Sequence, residues 1–89
     1  MVYVDNYRAK YRGMIMCHMI ADTQEELLGM VDKLGLKRNW IEDKGTYREH
    51  FNICQEKKQL AIRMGAKSIN MRELFSITEA KKCSNTPQQ

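Results

Sequence analysis

The chain has 89 residues, so one domain with a small hydrophobic core is the expectation. Its 43% hydrophobic content is too high for wholesale disorder, and no apolar run approaches the roughly 20 residues of a membrane span. Fifteen Lys and Arg against eleven Asp and Glu give a formal charge of +4, which suits a small anionic partner but not an extended duplex.

Val2-Tyr3-Val4 reads as a strand over 2–5 that ends on Asp5. Residues 6–13 are polar and read as a loop, with Tyr7, Arg8, Lys10, Tyr11 and Arg12 before Gly13. The Met/Ile-rich run 14–20 reads as a second strand; it carries His18, and Asp22 follows it. Thr23 and Glu26 make a capping box, Leu27, Val31 and Leu34 share one helical face, and Gly35 suits the position after the helix end. Residues 37–42, KRNWIE, read as a strand through Trp40 and Ile41, and 43–50 as a charged loop around Gly45. Phe51-Asn52-Ile53 leads into a helix from about Cys54 to Met64, closed by Gly65. Residues 66–69 read as a short strand. Asn70 and Glu73 form a second capping box, opening a helix through about Lys82. The polar tail 83–89 is expected to fray, which leaves 1–82 as one compact domain.

This order predicts an α/β fold with a small, three- to four-stranded, mostly parallel sheet and three helices. In such a sheet, ligands sit beyond the carboxyl ends of the strands, which would gather Asp5, Asp22, the 42–50 loop and Asn70 at one edge.

Cys17, Cys54 and Cys83 have no CxxC or zinc-type spacing, and their odd number without a signal pattern points to reduced thiols in the cytoplasm. Cys54 falls near a helix start, where a thiolate is stabilised, but it also fits there as a plain N-terminal residue, and an unreactive cysteine is the expectation. Seven methionines suit core gaps or an adaptable surface, and so small a core should gain buried area as a homo-oligomer.

His18 and His50 are the only histidines. Both imidazoles can face one anionic ligand; alternatively His18 is a satisfied core histidine whose ring Asp5 or Asp22 holds. Asp5, His18, Asp22 and His50 could ligate a metal, but their spacing matches no tight signature, so no metal and no cofactor is expected. Lys57 and Lys58 open the second helix against its dipole, a conflict that a bound anion would relieve, and Arg72 repeats the pattern in the third; solvated surface charge is the plainer alternative. No phosphate-loop motif is present. Tyr7, Tyr11, Tyr47 and Trp40 can stack on a base while arginines hold phosphate. The candidate binding set is Arg8, Tyr11, Arg12, His18, His50, Asn52, Lys57 and Arg72, with Asp5 and Asp22 orienting.

Tyr3-Val4-Asp5, Tyr11-Arg12-Gly13, the run Cys17 to Asp22, Glu26-Leu27, Leu34-Gly35-Leu36, His50 to Ile53, Gly65-Ala66 and Arg72-Glu73-Leu74 keep one order and spacing over roughly residues 2–75. In this the chain resembles a small bacterial and phage family catalogued as domain of unknown function 4031. The resemblance implies a compact cytoplasmic domain, in the host cell if phage-encoded, and no established activity. Family members tend to have an aromatic near Met16 and an aspartate in place of Asn52. Were that aspartate a catalytic base, Asn52 could not replace it, though its amide still donates and accepts.

The function expected is non-catalytic binding of a phosphate-bearing small ligand, such as a nucleotide or a cyclic oligonucleotide. Sequestration of a host nucleotide signal, as phage counter-defence, is the use the resemblance suggests. The alternatives are a metal-assisted hydrolase or nuclease on Asp5, His18, Asp22 and His50, and an inhibitor that docks on a host enzyme.

Overall fold

The sheet grows from a hairpin that the chain makes in its first quarter. The computed structural model describes residues 1–84, with side-chain surroundings through Lys82. Strands β1 (Val2–Val4) and β2 (Ala9–Tyr11) both pair antiparallel with β3 (Met14–Ala21), in the registers Val4↔Met19 and Ala9↔Met16. Strand β4 (Phe51–Cys54) pairs antiparallel with β3 from Met16↔Cys54 to Met19↔Phe51. Because β4 occupies one edge of β3 at those residues, β1 and β2 share the other edge as one strand broken at residues 5–8. Strand β5 (Lys67–Ser68) adds to β1 in parallel.

Among the described residues the chain is therefore a small α/β fold with three helices, as expected, but its sheet has five strands and is mostly antiparallel, not mostly parallel. The cause is the turn at Arg12 and Gly13. Both take positive φ, 50° and 80°, the pattern of a two-residue turn whose twist matches that of the flanking strands. The region expected to be one long loop thus holds a strand and a tight reversal. Antiparallel pairing also puts Asp5 and Asp22 at opposite ends of the β1–β3 pair, so the expected single edge of chemical residues does not form.

Helix α1 (Gln24–Leu34) starts where expected. The Thr23 hydroxyl accepts from the Glu26 amide at 3.2 Å, and Gly35 at φ 75° closes the far end with its amide on α1 carbonyls. Residues 37–42 are not a strand. Arg38–Trp40 forms a 3₁₀ turn, Trp40 is 55% exposed, and only the bridge Glu42↔His50 touches a ladder. Two adjacent apolar residues cannot both face a core from a strand. Helix α2 (Gln55–Arg63) follows β4 directly. Helix α3 (Met71–Ser84) opens with the expected reciprocal cap, Glu73 amide to Asn70 Oδ1 at 2.8 Å and Asn70 amide to Glu73 Oε1 at 3.0 Å. It runs two residues past its expected end; of the tail expected to fray, 85–89 lie outside the described residues.

The core lies on one face of the sheet. Val4, Cys17, Met19, Phe51 and Ile53 meet Leu27, Val31 and Leu34 of α1 and Ala61 of α2. Burial pushes the Cys17 thiol up to about 11, so it packs as a small apolar group. Alternation along β3 sends Met16, His18 and Ile20 to the other face. There α3 crosses one end, where Met71, Leu74, Phe75 and Thr78 close a cleft with His18 and Ile20. The Met16 end carries an open groove.

Candidate functional site

Asp5 is a charged side chain with no exposed surface. It sits where β1 leaves the ladder. Its amide still donates to the His18 carbonyl at 3.1 Å, but the answering bond from the His18 amide goes to Asp5 Oδ1 at 2.8 Å, so the side chain stands in for a backbone carbonyl. Oδ1 also accepts from the Tyr7 amide at 3.2 Å. Oδ2 lies 2.7 Å from His18 Nδ1. Burial alone would push this carboxyl up; the bonds from the His18 ring and amide and from Tyr7 outweigh it and hold the carboxyl below its usual value.

An ionised carboxylate only accepts, so His18 donates from Nδ1 and presents Nε2 outward. The same reasoning applies to His50. Its Nδ1 lies 2.7 Å from the Arg48 carbonyl, which also only accepts. The two rings meet edge to face with centroids 5.4 Å apart, and Tyr7 stacks flat on His18 at 4.7 Å. Glu42 Oε1 stands 4.0 Å from His50 Nε2. Both histidines line a cleft of about 310 Å³ that also contains Asp43, Arg48 and Thr78.

Beside the histidines lies a larger groove of about 880 Å³. Met14, Met16 and Ala9 are among its apolar lining, Tyr7, Tyr11 and Trp40 its aromatic lining, and Lys10, Arg12 and Lys57 its cations. Tyr7 and Glu42 belong to the groove and also touch or face the histidines, so the imidazole pair stands between the two hollows.

A family model described as "Protein of unknown function (DUF4031)" matches residues 2–81. The chain belongs to the DUF4031 family. No curated protein and no solved structure gave a match.

In this DUF4031 domain, the residues singled out from sequence divide between the hollows. Tyr11, Arg12, Asn52 and Lys57 line the groove, and His18 and His50 line the cleft. Asn52 pairs with His18 across β3 and β4 and points to the same face. Arg8 and Arg72 are exposed and line neither hollow. Lys57 Nζ donates to the Leu34 carbonyl at 2.8 Å, so its charge meets the C-terminal end of α1, where a cation is favoured. Of the two orienting candidates, Asp5 holds the imidazole. Asp22 instead accepts from the Tyr3 hydroxyl at 3.1 Å and pairs with the Met1 ammonium at 3.4 Å.

Asp5, His18, Asp22 and His50 therefore do not converge, and among the described residues no three His, Cys, Asp or Glu side chains gather as a metal set. Sequence reasoning leaves Glu42, Arg48 and Glu49 without a role. Tyr7, expected to stack on a base, stacks on His18, placed there by its amide on Asp5 Oδ1. Glu42 and Arg48 reach His50 through the 42–50 bridge, which local pattern does not announce. Glu49, 6% exposed, accepts from Gln24 Nε2 at 2.9 Å and the Gly45 amide at 3.0 Å, tying that loop to α1.

Proposed function

We propose that the chain binds a phosphate-bearing, nucleotide-like ligand in the groove over β2, β3 and β4. The observation that carries this reading is the lining: three aromatic side chains, Tyr7, Tyr11 and Trp40, in one hollow with Lys10, Arg12 and Lys57. A base stacks on any aromatic face, while cations answer phosphate. Asn52 supplies a donor and an acceptor for a base edge. Arg12 stands at the tip of a tight turn, with its guanidinium 5.3 Å from the Tyr11 ring centre. Sequestration of a nucleotide signal, in the cytoplasm and in a phage setting, is the use that needs this binding and nothing more.

Mass spectrometry of small molecules released by denaturing freshly purified protein tests the reading. A nucleotide or short cyclic oligonucleotide is the expected species, and titration calorimetry with it should give a saturable isotherm. Arg12→Ala should weaken that isotherm roughly 30-fold or more, the effect of losing about 2 kcal/mol of charged hydrogen bonding. No released nucleotide, and no heat with a panel of mono-, di- and cyclic nucleotides, would sink it.

A further inference from the structure

We propose that His18 and His50 are an acid–base pair that cleaves a phosphodiester bearing a neighbouring 2′-hydroxyl, the linkage of an oligoribonucleotide. This rests on the groove holding a nucleotide chain, and it adds turnover to binding. Each ring is pinned through Nδ1, by a buried carboxylate in one case and by a backbone carbonyl in the other, both at 2.7 Å. Pinning fixes the tautomer and aims Nε2, as an orienting partner does for a catalytic histidine. The ring centres are 5.4 Å apart, and both line one cleft, so one phosphate can meet both.

The partners divide the roles. His18 takes the proton, because the Asp5 carboxylate directly behind it meets the charge that forms. His50 gives a proton from Nε2, the nitrogen that its bond to the Arg48 carbonyl leaves free. Among the described residues, Arg48 and Asp43 are the other charged groups lining the cleft, and α3 contributes Met71, Leu74, Phe75 and Thr78.

The step balances without water, metal or redox partner. The O2′–H bond breaks and its proton passes to His18 Nε2. The O2′–P bond forms, the P–O5′ bond breaks, and O5′ takes the proton from His50 Nε2. The products are a 2′,3′-cyclic phosphate and a free 5′-hydroxyl. Proton exchange with water resets the pair. A substrate that carries its own nucleophile suits this cleft, since both Asp5 oxygens are already committed.

The test uses the whole chain, a short end-labelled oligoribonucleotide, its all-2′-deoxy counterpart, and EDTA throughout. Expected are ribo-specific cleavage with 2′,3′-cyclic phosphate ends by mass spectrometry, and an uncut deoxy strand that still binds by fluorescence anisotropy. His50→Gln should lose roughly 100-fold or more in rate, the contribution typical of one general acid or base, with binding and melting temperature retained. His18→Gln should lose as much; should it unfold, His50→Gln carries the test. An oligoribonucleotide that binds but stays intact overturns this inference and leaves binding, with sequestration, standing. One that neither binds nor is cut overturns this inference as well, and the binding reading falls with it only if the nucleotide panel also gives no heat. Cleavage that needs a divalent ion, cuts the deoxy strand, or survives in His50→Gln also overturns the acid–base pair.

Discussion

Asp5 is the residue on which stability and chemistry meet. Its side chain closes a ladder position and orients a ring, so removing it leaves two backbone amides and an imidazole N–H without their acceptor. Asp5→Ala should cost about 3–5 kcal/mol, since each part-buried donor left without an acceptor costs roughly 1–3, read from the midpoint of a urea melt. Asp5→Asn should cost less, because an amide oxygen still accepts from backbone, but its NH₂ would face Nδ1–H and turn His18 to the other tautomer. Cleavage should then fall while the fold survives. Acid should act on the same group. Since Asp5 titrates lower in the folded chain than in the unfolded one, its stabilisation is complete above about pH 4 and is lost as pH falls through the folded value. Melting temperatures from pH 7 to 2 should show that loss, and Asp5→Asn should flatten it. Arg12 presents the opposite balance. It holds φ 50° at the turn, where glycine is easier, so Arg12→Gly should leave stability unchanged or raise it by up to about 1 kcal/mol while it weakens ligand binding. A drop in both would mean that the guanidinium supports the fold. At this scale much of the site was legible: a histidine in an apolar run beside a carboxylate pointed to an oriented imidazole. The choice between Asp5 and Asp22 was not, because it depends on which end of an antiparallel pair each occupies.

The helices were the legible elements because their ends carry local chemistry. Thr23 with Glu26 and Asn70 with Glu73 each close a hydrogen-bonded loop within four residues, which needs no knowledge of the rest of the chain. Thr23→Ala should therefore cost about 1 kcal/mol by denaturant melt, and Thr23→Asn almost nothing. Strand pairing has no such local mark. Ala9-Lys10-Tyr11 carries little apolar content, since one edge and much of its surface face solvent, and Arg12-Gly13 lacks the Asn-Gly or Asp-Gly pair that announces a tight hairpin. Without that hairpin, alternation of strands and helices reads as a parallel sheet. Trp40 misled for a related reason: a large ring suggested a buried strand, but it stands beside the groove, with Lys37 5.7 Å from its centre.

The whole molecule is a sheet with one well-covered face and one partly covered face. The core side has two helices, while α3 reaches only one end of the other and leaves Phe75 64% and Met71 40% exposed. Self-association that covers these side chains should appear as a dimer or larger species in sedimentation velocity at micromolar concentration; a clean monomer there would refute it. No helix among the described residues is long and apolar enough to cross a membrane. The broken edge of β3 has a different consequence. The registers of β1 and β2 differ by two residues, Val4↔Met19 against Ala9↔Met16, and each is set by its own device: the first by Asp5 on His18, the second by the turn at Arg12 and Gly13. The hairpin tip is therefore an interchangeable jaw. A graft that replaces residues 9–15 with another tight hairpin of equal parity would redraw the groove and its appetite for ligands, while the histidine behind the break kept its aim.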